Sequence, residues 1–257
     1  MPEFLQQLLF LCPMLLLAGI IDGISGGGGL IALPSYLIAG LPISAAYGCN
    51  KMQSCLGTCA SLYKYARSGF LDIRSALPSA LAAIGGSFLS TQIMLQLEDS
   101  IKNVIITGSM IFVICLTLLS GKIQTTKEPV RRIRLTLRNL LLCLGTGILL
   151  GLYDGFFGPG GGTVALLLFA VLFKYDIRVG CGNGKFIIVL SNLTAMLTYL
   201  LNGDVIYAIA IPCSLANILG SYIGASLATS RGAGFVRKIS LIVVAGLLVY
   251  TVYGFVK

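Results

Sequence analysis

Asp22-Gly23-Ile24-Ser25-Gly26-Gly27-Gly28-Gly29 and Asp154-Gly155-Phe156-Phe157-Gly158-Pro159-Gly160-Gly161-Gly162 are two versions of one signature, 132 positions apart. Each interrupts an apolar stretch. Glycine destabilises a helix interior because it loses the most backbone freedom on ordering. Glycine runs at equivalent places in two halves therefore predict helices broken on purpose. Transporters put binding sites at such breaks.

The rest of the chain fits that setting. Of 257 residues, 56% are hydrophobic and 11% charged, which describes a polytopic membrane protein better than a soluble globule. Ten apolar segments are expected: 4–21, 30–40, 45–63, 75–97, 101–120, 135–153, 163–173, 184–201, 205–227 and 236–256. The segments 30–40 and 163–173 follow the glycine runs and are too short to cross a hydrocarbon core of about 30 Å. Each is expected to be a half-helix or part of a re-entrant hairpin. Residues 4–21 lack a basic lead and a small-residue cleavage pattern, so they read as a retained helix rather than a signal peptide.

Similarity extends beyond the glycines. At an offset of 134, Lys51 meets Lys185, Tyr65 meets Tyr199, Gly69 meets Gly203, Pro78 meets Pro212 and Gly86 meets Gly220. The two extra residues are expected in Gly180-Cys181-Gly182-Asn183-Gly184. Five segments per repeat is an odd number, so the halves are expected to be inverted: 1–120, a basic linker 121–135, and 136–257. With the N-terminus on one side, the opposite side receives 14 Lys and Arg against 2, with Lys51 and Lys185 left inside the membrane. The positive-inside rule makes the basic side cytoplasmic and puts both termini outside. The net charge of +9 lies in short loops between spans, which argues against a nucleic-acid partner.

Lys51 and Lys185 are the first candidates for function. A charge at the bilayer centre costs on the order of 3 kcal/mol, so such residues face a cavity or a partner. Each follows a small polar stretch, Gly48-Cys49-Asn50 or Gly182-Asn183-Gly184, read here as a turn that opens a helix. Two lysines, Asn50, Asn183, the nests at Gly26, Gly27, Gly28, Gly29 and at Gly160, Gly161, Gly162, and nearby helix N-termini describe an anion site. Asp22 and Asp154 are also repeat-related. They either pair with the lysines or serve a coupling proton or sodium ion. Gln53, Ser54, Thr58, Tyr65, Asn192 and Tyr199 are candidates to line a pathway, or to act as polar glue between helices. Pro159 removes an amide donor from the second nest. The chain has no histidine. Its eight cysteines show no metal spacing, so no metal, cofactor or catalytic constellation is expected.

The stretch Ile21–Leu30 with Pro34 and Cys49-Asn50-Lys51, then Tyr153–Gly162 with Lys185, resembles the paired signatures of the TauE/SafE sulfite exporter family. The resemblance covers nearly the whole chain and is nearest the branch of probable membrane transporter proteins. That branch commonly has a threonine where this chain has Cys49. The family implies bacterial or archaeal inner-membrane transport of sulfur-containing anions such as sulfite or sulfonates. The expected mechanism is alternating access around the two lysines. An anion channel is the first alternative, and a redox or sulfur-transfer partner using Cys49, Cys55 or Cys59 the second. A homodimer is compatible with ten segments.

Overall fold

The computed structural model describes residues 2–119, 136–158 and 160–232, together with 235, 236, 238, 239 and 242. Nine helices are found among them: α1 Pro2–Ser25, α2 Gly29–Ile38, α3 Ile43–Arg67, α4 Ile73–Gln96, α5 Asp99–Leu119, α6 Leu137–Phe156, α7 Gly161–Leu172, α8 Ile177–Leu201 and α9 Tyr207–Arg231. Four of these, Glu3–Ser25, Leu137–Phe156, Ile177–Leu201 and Tyr207–Arg231, are long and apolar enough to cross a membrane. The linker 121–135, Pro159 and nearly all of segment 236–256 lie outside the described residues.

The glycine runs break the helices where the sequence places the breaks. Gly26 adopts a left-handed φ of +81° and ends α1, and Gly160, at +79°, is the N-cap of α7. At 1.5 Å per residue, α2 and α7 are only about 15 and 18 Å long. Near the start of α1, Gln7 Nε2 donates to Ala39 O just past α2, at 2.9 Å. α2 therefore folds back along α1 as a hairpin bent at Gly26–Gly28, and Pro42 caps the entry to α3.

Two expectations about the lysines are corrected. Gly48-Cys49-Asn50 and Gly182-Asn183-Gly184 are not turns. They lie inside α3 and α8, and Lys51 and Lys185 are each the ninth residue of a 25-residue helix. Packing outweighs the glycine penalty of about 1 kcal/mol per position. A side chain at Gly48 would run into the Asp204 carbonyl, and one at Gly182 into the Phe70 carbonyl. The glycines are there so that a loop can lie against the helix.

The helices pair across the chain rather than along it. α1 packs on α9, α4 on α6, and α3 and α8 pack on each other as well as on α9 and α4. Small residues set the spacing: Gly19, Gly23, Gly220 and Gly224 join α1 to α9, as Gly147, Gly151, Gly155 and Gly86 join α6 to α4. Without a water-driven hydrophobic force between spans, such close backbone approach is a main source of helix association in lipid. Lys51 reaches Asn192 and Cys55 Sγ reaches Val189 O, so α3 and α8 run antiparallel where they cross. Large apolar side chains such as Leu81, Leu89, Leu141, Leu149, Leu215 and Leu219 point outward from the bundle.

At one end a buried polar knot ties the two halves. Tyr175 Oη donates to Asp72 Oδ2 at 2.5 Å and shares a 3.1 Å contact with Ser75 Oγ. Asn183 accepts from the Asp72 amide at 2.9 Å and donates to Ser75 Oγ at 3.0 Å. Arg178 lies over the Phe70 ring, 4.4 Å from its centroid. Tyr175→Phe removes a hydrogen bond to a buried carboxylate and is expected to cost about 1.5–3 kcal/mol, read as a lower thermal midpoint in detergent. At the opposite end Lys102 is buried against Ser44 Oγ and Asp99. Burial pushes the carboxyl of Asp204, in the turn between α8 and α9, above its usual range, against the pull of Lys102.

Candidate functional site

Each aspartate of the signature ends a long helix, and each buried lysine reaches across to it from the other half. Lys51 Nζ donates to Asp154 O at 2.6 Å and to Asp154 Oδ2 at 2.9 Å. Lys185 Nζ donates to Asp22 O and Asp22 Oδ2, both at 2.5 Å. A helix C-terminus leaves carbonyls unsatisfied and carries partial negative charge. A carboxylate there adds to the negative charge, and the lysine offsets it by binding the carbonyl and the carboxylate of the same residue together. In this structure the two lysines and the two aspartates form two ion pairs.

The pairs are not equivalent. Asp154 Oδ2 also accepts from Ser191 Oγ at 2.7 Å, and Lys51 also donates to Asn192 Oδ1 at 3.2 Å. The side chains of Lys51 and Asp154 are 1% and 3% exposed, whereas those of Lys185 and Asp22 are 2% and 19% exposed. At the offset of 134, Ser191 and Asn192 correspond to Gly57 and Thr58.

Between the pairs lies a polar cavity of about 20 Å³, room for about one water. Both aspartates line it, with Gly26, Gly29, Asn50, Ser54, Thr58, Gly158, Gly160, Gly161, Gly162, Ile188 and Asn192. The N-cap and first turn of α7 contribute three of these glycines, whose amides have no acceptor within their own helix. Gln53 Nε2 donates to Asn50 Oδ1 at 3.0 Å. That bond uses the Asn50 acceptor and leaves its Nδ2 donors near Gly158. The lining is rich in donors, and its two acids are held by two bases.

Not every candidate reaches this cavity. Lys51 and Lys185 are not in its lining and stand behind the aspartates that are, Gly27 and Gly28 belong to the bend outside it, and Gln53 acts through Asn50. Tyr65 Oη donates to the carbonyls of Gly23 and Ile24 at the end of α1, at 3.1 and 3.3 Å. Tyr199 stacks on Tyr47, with centroids 6.2 Å apart. Both tyrosines hold helices together. Asn183 belongs to the Asp72 knot. Ile188, Gly158 and the Asp72–Tyr175 pair were not among the candidates. Asp72 was open to detection as a helix N-cap two residues before Arg74, whose amide its side chain accepts at 3.2 Å.

An all-helical bundle with apolar outer faces, broken helices and buried opposite charges around a polar cavity is the architecture of a multi-pass membrane transport protein. The chain belongs to the Sulfite exporter TauE/SafE family, whose model matches residues 11–251. It is 30% identical over 236 residues to the probable membrane transporter protein ORF9 of Sinorhizobium sp, covering 92% of this chain and 88% of that one. It is 28% identical to the probable membrane transporter protein YfcA of Escherichia coli K12, covering 95% and 91%. A probable membrane transporter protein of Haemophilus influenzae is 28% identical, covering 88% and 86%. No solved structure matches the chain.

Proposed function

We propose that this protein carries small oxyanions, sulfur-containing ones first, across a bacterial or archaeal plasma membrane by alternating access. The observation that carries the reading is the crossed arrangement of Lys51–Asp154 and Lys185–Asp22 around one donor-lined cavity. Family membership supports transport, and the family's description supports sulfite as the first probe.

The two halves, 1–120 and 136–257, are read as an inverted five-segment repeat. Partner exchange supports this: the α1–α9 and α4–α6 contacts, the two lysine–aspartate pairs, and the Gly48–Asp204 and Gly182–Phe70 contacts all interchange when one half is renumbered as the other. Lys51 and Lys185, each about 12 Å from its helix start, enter from opposite ends of the antiparallel α3–α8 pair. A cavity sized for about one water does not hold a sulfite ion in this conformation. That favours a carrier that opens and closes over an open channel. The glycine bends supply the hinge, and the basic end of the bundle faces the cytoplasm.

A potential of 100 mV, negative inside, drives a monoanion outward with about 2.3 kcal/mol, close to fifty-fold at equilibrium. Export therefore needs no coupling ion. Uptake would need a proton or sodium ion, and Asp22 and Asp154 would carry it. The test is sulfite flux into proteoliposomes of the purified protein, against empty liposomes, with an imposed potential. Flux should exceed the control, follow the potential and saturate. No flux of sulfite or of sulfoacetate would refute the sulfur-anion reading.

A further inference from the structure

The geometry points to a division of labour between the two pairs: Lys185, released from Asp22, holds the oxyanion, while Lys51–Asp154 is the fixed frame opposite it. This rests on the transport reading above and assigns roles within that site.

The asymmetry of the pairs carries the inference. Lys51 meets three acceptors, two from Asp154 and one from Asn192, so its three protons are all engaged. Asp154 is held by Ser191 as well, and the pair is almost fully buried. An anion approaching Lys51 would have to displace a carboxylate with two side-chain donors on one oxygen. Lys185 takes both its acceptors from Asp22. Gly57 offers no hydroxyl where the other half has Ser191. Thr58 stands where the other half has Asn192, and it lines the cavity. Asp22 is also the more exposed carboxylate. The pair with fewer bonds and more access is the one a ligand can open.

A sulfite or sulfonate oxygen replaces a carboxylate oxygen on the same ammonium, so Lys185 is never left as an unpaired buried cation, and the displaced Asp22 carboxylate, 19% exposed, exchanges the ammonium for water. An unpaired buried charge is the costly state that breaking such a pair otherwise creates. The remaining oxygens of a pyramidal or tetrahedral anion find the Asn50 Nδ2 donors, the Ser54 and Thr58 hydroxyls and the first amides of α7. Asp22, freed, lies at the end of α1 against the Gly26 bend. Loading the site therefore removes the tie between α8 and that bend. In the empty protein Asp22 occupies the site as an internal substitute for the substrate.

Charge-neutral double variants test this, because each removes a cation and an anion together and leaves neither buried alone. D22N/K185M and D154N/K51M are purified in detergent, and binding of sulfite is read from its affinity and from the rise it gives in the thermal midpoint. D22N/K185M is expected to bind sulfite at least about ten-fold more weakly than the unaltered protein, the scale of a lost charge-assisted contact. D154N/K51M is expected to lose much less affinity than that. Asp22→Asn alone removes the internal competitor while keeping the cation, so it should tighten apparent affinity by about three-fold or more and enlarge the thermal rise. Asp154→Asn should do neither. Equal losses in the two double variants, or the larger loss in D154N/K51M, would overturn the assignment while leaving anion transport standing. Weaker sulfite binding in Asp22→Asn would overturn it even if a double variant failed to fold. No binding and no flux in the unaltered protein would remove the transport reading itself, and this assignment with it.

Discussion

Lys51→Ala is expected to destabilise the protein by about 3–5 kcal/mol, the scale for breaking a buried ion pair by removing one partner. The substitution leaves Asp154 with Ser191 alone, in a site whose side chains are 1–3% exposed. The carboxylate sits at the C-terminal end of α6, where the helix's own partial charge is also negative. It strips the Asp154 carbonyl of its Lys51 donor as well. Lys185→Ala should cost less, because Asp22 is 19% exposed and can recover some hydration. Thermal midpoints in detergent, read by size-exclusion of the heated protein, give both values. The double variant K51M/D154N should regain most of the loss, since no charge is left buried alone and the new amide keeps Ser191 as a hydrogen-bond partner. A Lys51→Ala protein as stable as the parent, or a double variant no better than the single, would contradict the pairing.

Much of this was legible from the chain alone, for identifiable reasons. Glycine is expensive in helices and lysine is expensive in membranes, so runs of the one and isolated examples of the other announce themselves. The breaks after Ser25 and Phe156 and the short helices α2 and α7 came from the first signal, and the burial of Lys51 and Lys185 from the second. The starts of α3 and α8 were misplaced, by two residues at Ile43 and seven at Ile177. There the glycines serve close packing, and sequence does not distinguish a glycine that bends a helix from one that admits a neighbour's backbone. Pairing between the lysines and the aspartates was open as an alternative, but not which lysine meets which aspartate. Its asymmetry was not visible, because it depends on Ser191 and Asn192 facing Asp154 and Lys51 across an interhelical contact. Tyr65 and Tyr199 looked like pathway residues because they sit on the lysine face. They lie 14 residues further along, about 21 Å at helical rise, beyond the cavity.

Gly26 and Gly27 are adjacent and look interchangeable in a run of four glycines, yet their alanine variants should differ sharply. Gly26 has a φ of +81°, and a Cβ there would be driven into the backbone of Gly162. Gly162 is equally constrained, since a Cβ on it would stand 2.6 Å from the Gly26 Cα. The two signature loops therefore touch backbone to backbone, and Thr163 Oγ1 fastens the contact by donating to Ser25 O at 3.1 Å. Gly26→Ala adds about 1–2 kcal/mol of left-handed strain to about 1–3 kcal/mol of overpacking that no flexible side chain can relieve. The expected loss is about 2–5 kcal/mol, with the cavity between the two pairs forced apart. Gly27→Ala meets nothing nearer than the Ile21 side chain at 3.6 Å and needs no positive φ, so it should shift the midpoint little. Thermal midpoints of the two variants, measured side by side, decide the matter. Equal midpoints would mean that the tips of the two loops do not meet, and that the bends act as separate hinges rather than as one joint through which the halves move together.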